Sequence, residues 1–277
     1  MKIVTWNTQW CCGLDGIVSP ERIVDGARAM GDFDVLCLQE IAANYPRLEG
    51  DASADQPARI GELLPGFRVF FGAAVHEFSE HGESRFGNLI ATRLPVRQVQ
   101  HHPLPYPADG GVRSMPRMCT VVTVDAPGLG PVRVMTTHLE YYSRIQRMAQ
   151  ARALRELHVA YCEQAAAPPQ PSDDGSAFRT KAHTAQAVLC GDFNFEEHEA
   201  EYAAVTEGGA LLDAWRLLHG DAERPPTFRL FDRTYGPEPI ACDFVMVSPG
   251  LAPRVRSLGV DLHTRVSDHQ PVTVELD

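Results

Sequence analysis

Apolar residues in this chain gather in short runs that are bounded by polar or turn-forming positions. The runs occupy residues 3–6, 33–38, 67–71, 89–92, 118–124, 132–136, 187–190, 244–247 and 271–276. Several are apolar at consecutive positions, which is typical of β-strands that are covered on both faces. We therefore predict a fold that is rich in buried strands.

Two helices are predicted between these strands. Ser19 followed by Pro20 provides an N-cap and a proline at the first helical position, and apolar residues then recur at helical spacing. A longer helix is predicted at about residues 143–162, where one apolar stripe consists of Met148, Ala151, Leu154, Leu157 and Tyr161. Strands and helices that alternate with few regular strand-helix-strand crossovers indicate two packed β-sheets with helices outside them.

The chain is predicted to form one domain over residues 1–277, a length that a single large α/β architecture can occupy. Between about residues 165 and 185 the composition shifts to Ala, Pro, Ser, Asp and Gly. We interpret this segment as a mobile surface loop and not as a domain linker, because another buried strand follows it directly.

Composition narrows the class of protein further. An apolar fraction of 44% and a charged fraction of 22% are ordinary for a folded globular chain. No stretch approaches the roughly 18 consecutive apolar residues of a membrane helix, and the first residues resemble a strand instead of an export signal. We therefore expect a cytoplasmic protein without membrane insertion, whose oligomeric state the sequence leaves open.

The charge and the cysteines argue against two further classes. A formal net charge of -11 disfavours a protein that tracks long nucleic acids, since phosphate binding draws on clustered Lys and Arg. The adjacent Cys11 and Cys12 lack a second Cys or Cys/His pair at zinc spacing, so we expect no zinc site.

Polar residues that could act in catalysis or metal binding follow the ends of several apolar runs. Such residues at the C-terminal ends of predicted strands are Asn7, Glu40, His138, Asp192 and Asn194. Three more precede predicted strands and so lie at N-terminal ends, namely Asp243, Asp268 and His269. If the later strands run antiparallel to the earlier ones, all of these residues reach one rim of the fold.

These residue types limit the reaction that the rim can support. Carboxylates and amides without a thiolate form a hard oxygen set, which suits Mg²⁺ or Mn²⁺ and points to a phosphate substrate. Asp243 and His269 are the predicted pair in which a carboxylate fixes the imidazole tautomer, so that the histidine takes a proton from water. His138 is then expected to face the phosphoryl oxygens, and the amides of Asn7 and Asn194 to orient water or phosphate.

Five short motifs occur together and in order along the chain. They are Thr5-Trp6-Asn7-Thr8-Gln9-Trp10, Leu38-Gln39-Glu40, Thr137-His138-Leu139, Gly191-Asp192-Phe193-Asn194 and Ser267-Asp268-His269. In this combination the chain resembles the endonuclease/exonuclease/phosphatase superfamily over its whole length. The resemblance implies a four-layered α/β sandwich of two mixed β-sheets packed face to face with helices outside, and in-line attack of water on a phosphoester.

The resemblance also implies a role for each matched residue. Glu40 looks like the principal metal ligand, with Asn7 and Asp268 beside it. Asp192 and Asn194 look like the residues that orient the nucleophile and contact phosphate, while His269 and Asp243 look like the general-base dyad. His138 is similar to a histidine of the pancreatic-type deoxyribonuclease, sphingomyelinase and inositol-polyphosphate phosphatase branches; the abasic-site endonucleases are less similar.

Three details of the resemblance concern positions outside the five motifs or depart from the family pattern. Arg117 matches a position where relatives carry a phosphate-gripping arginine, and Glu83 is a candidate for orienting His138. Gln9 stands where some members carry a second acidic residue, so a second tightly held metal is not implied.

Three functions remain open from the sequence. The first is a Mg²⁺-dependent or Mn²⁺-dependent hydrolase of phosphomonoesters or phosphodiesters, acting on a small molecule or on nucleic acid. The second is a nuclease, for which residues 97–117, with Arg113 and Arg117, form the one local basic candidate. The third is a non-catalytic binding module, which an intact set of acidic and basic residues disfavours.

Overall fold

A computed structural model describes residues 1–80 and 82–277. The strands are β1 Lys2–Asn7, β2 Val35–Tyr45, β3 Ala52–Asp55, β4 Arg68–Ser79, β5 Gly82–Thr92, β6 Val96–Pro103, β7 Met118–Ala126, β8 Gly130–His138, β9 Ala187–Asp192, β10 Leu212–Asp213, β11 Asp243–Val247, β12 Val255–Val260 and β13 Val272–Leu276. The α-helices are α1 Pro20–Ala29, α2 Gln56–Leu63, α3 Arg144–Ala166, α4 Ala200–Thr206 and α5 Ala214–His219.

These strands form two mixed sheets. The first sheet has the order β12-β13-β1-β2-β5-β4, with β3 paired to β2, and the second has the order β10-β11-β9-β8-β7-β6. Each sheet contains one parallel pair, β1 with β2 and β8 with β9. Beside each parallel pair lies a late strand that runs antiparallel, β13 next to β1 and β11 next to β9.

Three apolar layers hold the sheets and helices together. Between the sheets, Cys37 and Ile90 of the first pack with Val134 and Cys190 of the second. Helix α1 covers the outer face of the first sheet, and α3 covers the outer face of the second through Leu154. The predicted four-layered α/β sandwich, with two mixed sheets face to face and helices outside, is confirmed.

The helix starts follow from local capping. The Ser19 hydroxyl accepts a hydrogen bond from the Arg22 backbone N–H, with Pro20 at the first helical position, as predicted. Ser143 caps α3 in the same way through the Gln146 N–H. Helix α3 ends at Ala166, one turn beyond its predicted end.

Residues 167–186 contain neither helix nor strand and are mostly exposed. This placement agrees with a surface loop, and its mobility stays a prediction. The seven cysteines are free thiols. Among the described helices, none is long and apolar enough to cross a lipid bilayer.

The antiparallel direction of the late strands brings the polar residues to one rim. Asp243 at the start of β11 pairs in register with Asp192 at the end of β9. Strand β13 runs antiparallel to β1, so Asp268 and His269, which precede β13, lie near the end of β1. The predicted topology is therefore confirmed, and it places residues from opposite ends of the chain side by side.

A close backbone approach within the second sheet explains why position 191 is a glycine. Its φ is +139°, and a Cβ built there would lie 2.0 Å from the carbonyl oxygen of Thr137 on β8. The neighbour is backbone and cannot rotate away. Glycine at this position therefore lets β9 approach β8 closely enough to deliver Asp192 to the rim.

We expect Gly191→Ala to destabilise the fold by about 2 kcal/mol or more, because strain at φ and a backbone clash add together. Urea unfolding measured by circular dichroism checks this value. The matched control is Gly110→Ala, where a Cβ meets nothing within 4 Å and which should change stability by less than about 0.5 kcal/mol. Equal effects of the two substitutions would contradict the steric argument.

Candidate active site

Glu40 lies on a bulge inside β2. The pairing of β2 with β5 shifts register between Leu38 and Ile41, and Glu40 has a φ of +58°. The expectation that Glu40 follows the end of a strand is therefore wrong, because β2 continues to Tyr45. A non-glycine residue in the left-handed region costs of order 1–3 kcal/mol and marks a position where the backbone aims a side chain. Here the bulge turns the Glu40 carboxylate toward the rim.

Asn7, the last residue of β1, ties two acidic residues together. Its Nδ2 donates to Asp192 Oδ2 at 2.8 Å and to Glu40 Oε1 at 3.1 Å. Its Oδ1 accepts a hydrogen bond from the Gln9 backbone N–H at 3.1 Å. For Asn7 to offer its oxygen to a metal, the amide would have to turn over and give up these bonds.

Asp243 and His269 form a buried pair. The His269 Nδ1 lies 2.9 Å from Asp243 Oδ2, and the His269 Nε2 lies 3.6 Å from Asp192 Oδ2. Phe228 stacks on the imidazole with ring centroids 4.3 Å apart. Burial acts to lower the pKa of His269, but the carboxylates of Asp243 and Asp192 outweigh it and raise this pKa well above its usual value.

His138, the last residue of β8, occupies the other side of Asp192. Its Nε2 lies 3.5 Å from Asp192 Oδ2 and 3.8 Å from Glu40 Oε1. Burial, with the nearby Arg117 cation, lowers the pKa of His138 well below its usual value, so this imidazole is neutral. The pKa values of the two histidines are therefore shifted in opposite directions, although both lie beside the same aspartate.

Asn194 lies in a tight turn directly after β9. Its φ is +52°, and its backbone N–H donates to Asp192 Oδ1 at 2.9 Å. Its side-chain Nδ2 donates to the Leu139 carbonyl at 2.9 Å, which leaves the amide oxygen turned away from that bond. The turn thus fixes Asp192 and Asn194 against the end of β8.

Arg117 is held by a buried residue that sequence reasoning missed. Its Nε donates to Glu140 Oε2 at 3.1 Å, while its Nη1 has no hydrogen-bond partner among residues 1–80 and 82–277. Glu140 is fully buried and also accepts from the Tyr142 N–H. Its place two residues after His138 was the available signal.

Glu83 does not lie where the sequence suggested. Its Oε1 is 2.9 Å from His76 Nε2 across the β4–β5 hairpin, and its side chain is about half exposed. His138 is buried against Glu40 and Asp192 instead. The interpretation of Glu83 as the residue that orients His138 is therefore wrong, since pairing within the hairpin holds it at the surface.

The acidic residues at the rim are costly to ionise together. Burial raises the pKa of Asp268 to about 6, with Glu40 adding to the shift, and burial with Asp243 raises the pKa of Asp192 to about 6. The pKa of Glu40 is raised as well, first by burial and then by Asp192. Oxygen donors that repel each other in a partly dry site fit a hard divalent cation.

A thiol also lies at this site. The ligand atoms of Cys242, Asp192 and His269 lie within 4.8 Å of one another. Burial and the carboxylates of Asp192 and Asp243 raise the pKa of the Cys242 thiol well above its usual value. The thiol therefore stays protonated near neutral pH and is a weak metal ligand, since the thiolate is the form that binds metals.

One cavity of about 380 Å³ collects the site residues. Its wall includes the predicted residues Glu40, Arg117, His138, Asp192, Asn194, Asp268 and His269. Asn7 and Asp243 are buried and contact this wall through Asp192 and His269. Of the predicted site residues, only Glu83 lies apart from the group.

Comparison with known protein families decides the affiliation of this chain. The sequence model of the endonuclease/exonuclease/phosphatase family matches residues 4–269, which is nearly the whole chain. The chain belongs to the endonuclease/exonuclease/phosphatase family. A comparison with curated proteins found no match.

Solved structures of the endonuclease/exonuclease/phosphatase family share this fold. A family member from Beutenbergia cavernae is 26% identical, with a TM-score of 0.72 over 100% of this chain and 71% of that one. The Bacteroides thetaiotaomicron mannosyl-6-phosphatase is 19% identical, with a TM-score of 0.67 over 100% and 99% of the two chains. TDP2 from D. rerio, in complex with a single-strand DNA product, is 18% identical, with a TM-score of 0.66 over 100% and 98%.

The raised pKa of Glu40 yields a prediction about stability. We expect Mg²⁺ or Mn²⁺ at about 100 times its Kd to raise the unfolding midpoint of the wild-type protein by about 5 °C. Glu40→Gln should lose most of this gain, yet unfold in chelator at the same temperature as the wild type or higher, because one repelling charge is gone. Differential scanning calorimetry measures both effects.

The control for this experiment is Glu156→Gln, on the exposed face of α3. It should keep the full metal-induced shift. An equal metal-induced shift in Glu40→Gln and the wild type would show that Glu40 does not take part in cation binding.

Proposed function

We propose that this protein is a divalent-metal-dependent phosphoester hydrolase, a phosphodiesterase or phosphatase, that uses Mg²⁺ or Mn²⁺. One observation carries the proposal: a cavity joins a buried carboxylate cluster, a histidine–aspartate pair and an arginine whose Nη1 has no partner within the described part of the chain. Family membership supports it, because the family includes phosphatases and nucleases. The free, mostly buried thiols support a reducing, cytoplasmic location.

Glu40 and Asp268 are the residues that would hold the cation, and Asn7 would join them after turning its amide. Both carboxylates line the cavity, and the repulsion between them is what a cation relieves. When bound, the cation supplies charge neutralisation at the phosphoryl oxygens and the leaving group. Carboxylate and amide oxygens with a protonated thiol favour Mg²⁺ or Mn²⁺ over zinc.

His269 is the proposed general base. Asp243 holds the proton on Nδ1, so in the neutral imidazole Nε2 is the nitrogen that accepts a proton from water. Asp192 Oδ2, 3.6 Å from this nitrogen, is placed to accept a hydrogen bond from the same water and so to orient it. Phe228 stacked on the ring restricts the imidazole to one plane.

Three side chains are proposed to contact the phosphate. Arg117 offers its unpartnered Nη1, and Glu140 fixes the direction of the guanidinium. His138, neutral, donates one hydrogen bond without adding charge, and Asn194 offers its amide from the turn after β9. Together they stabilise charge on the phosphoryl oxygens in the transition state.

A nuclease is the second candidate. The specific observation in its favour is Arg113, whose guanidinium lies 5.6 Å from the centroid of the Tyr142 ring at the cavity edge. Such a pair can stack a base and attract a phosphate. The net charge of -11 weighs against a long polynucleotide. The neighbours named above, a sugar phosphatase and a DNA-product complex, do not separate the two candidates.

A substrate panel tests the proposal. Bis-nitrophenyl phosphate, nitrophenyl phosphate, plasmid DNA and sphingomyelin are each incubated with Mg²⁺, Mn²⁺ or chelator. We expect metal-dependent turnover of at least one small ester, abolished by chelator. Turnover of none, together with no thermal shift by metal, would favour a binding module, whereas rapid cleavage of DNA alone would favour the nuclease.

Two substitutions test the roles of the residues. Glu40→Gln and His269→Ala should each lower kcat by at least about a hundredfold, the range typical for losing a metal ligand or a general base. His263→Ala, an exposed histidine after β12, is the matched control and should retain wild-type turnover. Near wild-type rates in both site variants would mean that these roles are misassigned.

A further inference from the structure

The cavity continues beyond the catalytic residues along a surface of apolar side chains. This surface, here called the apolar wall, consists of Trp10, Tyr45, Leu48, Val75, Phe86 and Met115. The same residues pack against one another as one hydrophobic cluster with Ala42 and Ala52. Each member of the wall except Phe86 is only partly buried, so apolar surface faces the cavity.

A second group of rings extends from the catalytic histidine. This group, here called the aromatic row, consists of Phe228, Tyr235, Tyr141 and Tyr142. Phe228 stacks on His269, Tyr235 lies 6.1 Å from Phe228, and Tyr141 lies 6.0 Å from Tyr235 between ring centroids. The row therefore begins at the site of water activation and ends at the exposed Tyr142.

The polar groups of three of these aromatic side chains are already engaged by the protein. Trp10 Nε1 donates to the Glu49 carbonyl at 2.9 Å, and the Tyr45 hydroxyl donates to Glu77 at 3.1 Å. The Tyr141 hydroxyl donates to the Tyr235 carbonyl at 3.2 Å. A ligand that enters between these residues thus meets ring faces and aliphatic groups more than hydrogen-bonding groups.

The basic side chains of the cavity suffice for one phosphoester and little more. Among the described residues that line it, Arg113 and Arg117 are the ones with permanent positive charge, and Arg117 already forms an ion pair with Glu140. A polyanion would need a longer basic track. Of the polar residues that line the cavity beside the apolar wall, Glu77 is already bonded to Tyr45 and Ser114 to Tyr106. The hydroxyl groups of a sugar would therefore lose water on entry and gain few partners there.

We infer that the substrate carries an apolar aryl or alkyl group next to its phosphoester, and that the apolar wall binds this group. The inference rests on the proposed function, because the phosphate position is defined by it. The wall favours substrates with larger apolar groups, because burying apolar surface strengthens binding roughly in proportion to the area removed from water. Such a substrate would place its single anionic head beside the carboxylates and its apolar group along the wall.

Phosphonates test the inference, since each presents one anion and a single organic group without being hydrolysed. Methylphosphonate, hexylphosphonate, phenylphosphonate and a glycerol-like dihydroxypropylphosphonate are titrated calorimetrically into the wild-type protein with Mg²⁺. We expect the hexyl and phenyl compounds to bind at least about tenfold more tightly than methylphosphonate, and the dihydroxypropyl compound to bind no better than methylphosphonate. Equal affinities across the series, or tightest binding of the dihydroxypropyl compound, would overturn the inference.

Two substitutions locate the effect at the wall. Val75→Thr and Met115→Gln keep side-chain size but add polar atoms, so each should narrow the ratio of phenylphosphonate to methylphosphonate affinity by about threefold or more. Val159→Thr, on the exposed side of α3, is the matched control and should leave the ratio unchanged. An unchanged ratio in both wall variants would contradict the assignment of the wall.

The substrate panel separates this inference from the proposed function. Turnover of small esters with a flat phosphonate series leaves the hydrolase proposal intact and removes the apolar substrate. Absence of both turnover and phosphonate binding with Mg²⁺ removes the phosphate site itself, and the inference with it.

Discussion

The hydrogen bond from Asn7 to Asp192 joins the two sheets at the rim. Asn7 ends a strand of the first sheet, Asp192 ends a strand of the second, and both are almost fully buried. The same Asp192 oxygen lies within 3.6 Å of both histidine Nε2 atoms. Burying an unpaired carboxylate costs free energy, so Asn7 and the two histidines must lie where they can stabilise the charge of Asp192. The rest of the site is arranged around that need.

The strand ends could be predicted from the sequence because apolar runs and the polar residues after them leave a local signal. The shared rim could be predicted only on the condition that the late strands run antiparallel, because Asp243, Asp268 and His269 precede their strands. The Glu40 bulge left no such signal, since the apolar residues Ile41 and Ala42 continue the strand only after a register shift. Strand β6 was missed because its alternating positions are only partly buried.

The errors at Glu83 and Glu140 have one cause. Which carboxylate reaches a given side chain depends on hairpin pairing and on loop paths, and neither is encoded in residue spacing. Glu83 faces His76 because β4 and β5 pair as a hairpin. Glu140 turns inward because backbone N–H groups and Arg117 satisfy both of its oxygens. Tertiary partners of charged groups are therefore the part of a site that a single sequence specifies least.

The two sheets repeat one arrangement, a parallel pair flanked by an antiparallel strand, and the site draws its residues from both copies. The distance between the two sheets therefore determines the geometry of the site. This distance is set just inside the rim by small side chains such as Cys37 and Cys190, and by the buried hydrogen bond from Gln39 to Thr136 at 2.8 Å. A bulkier residue between the two sheets would push them apart. It would thereby widen the gap between His269, held by the first sheet, and Asp243, held by the second, without altering either residue.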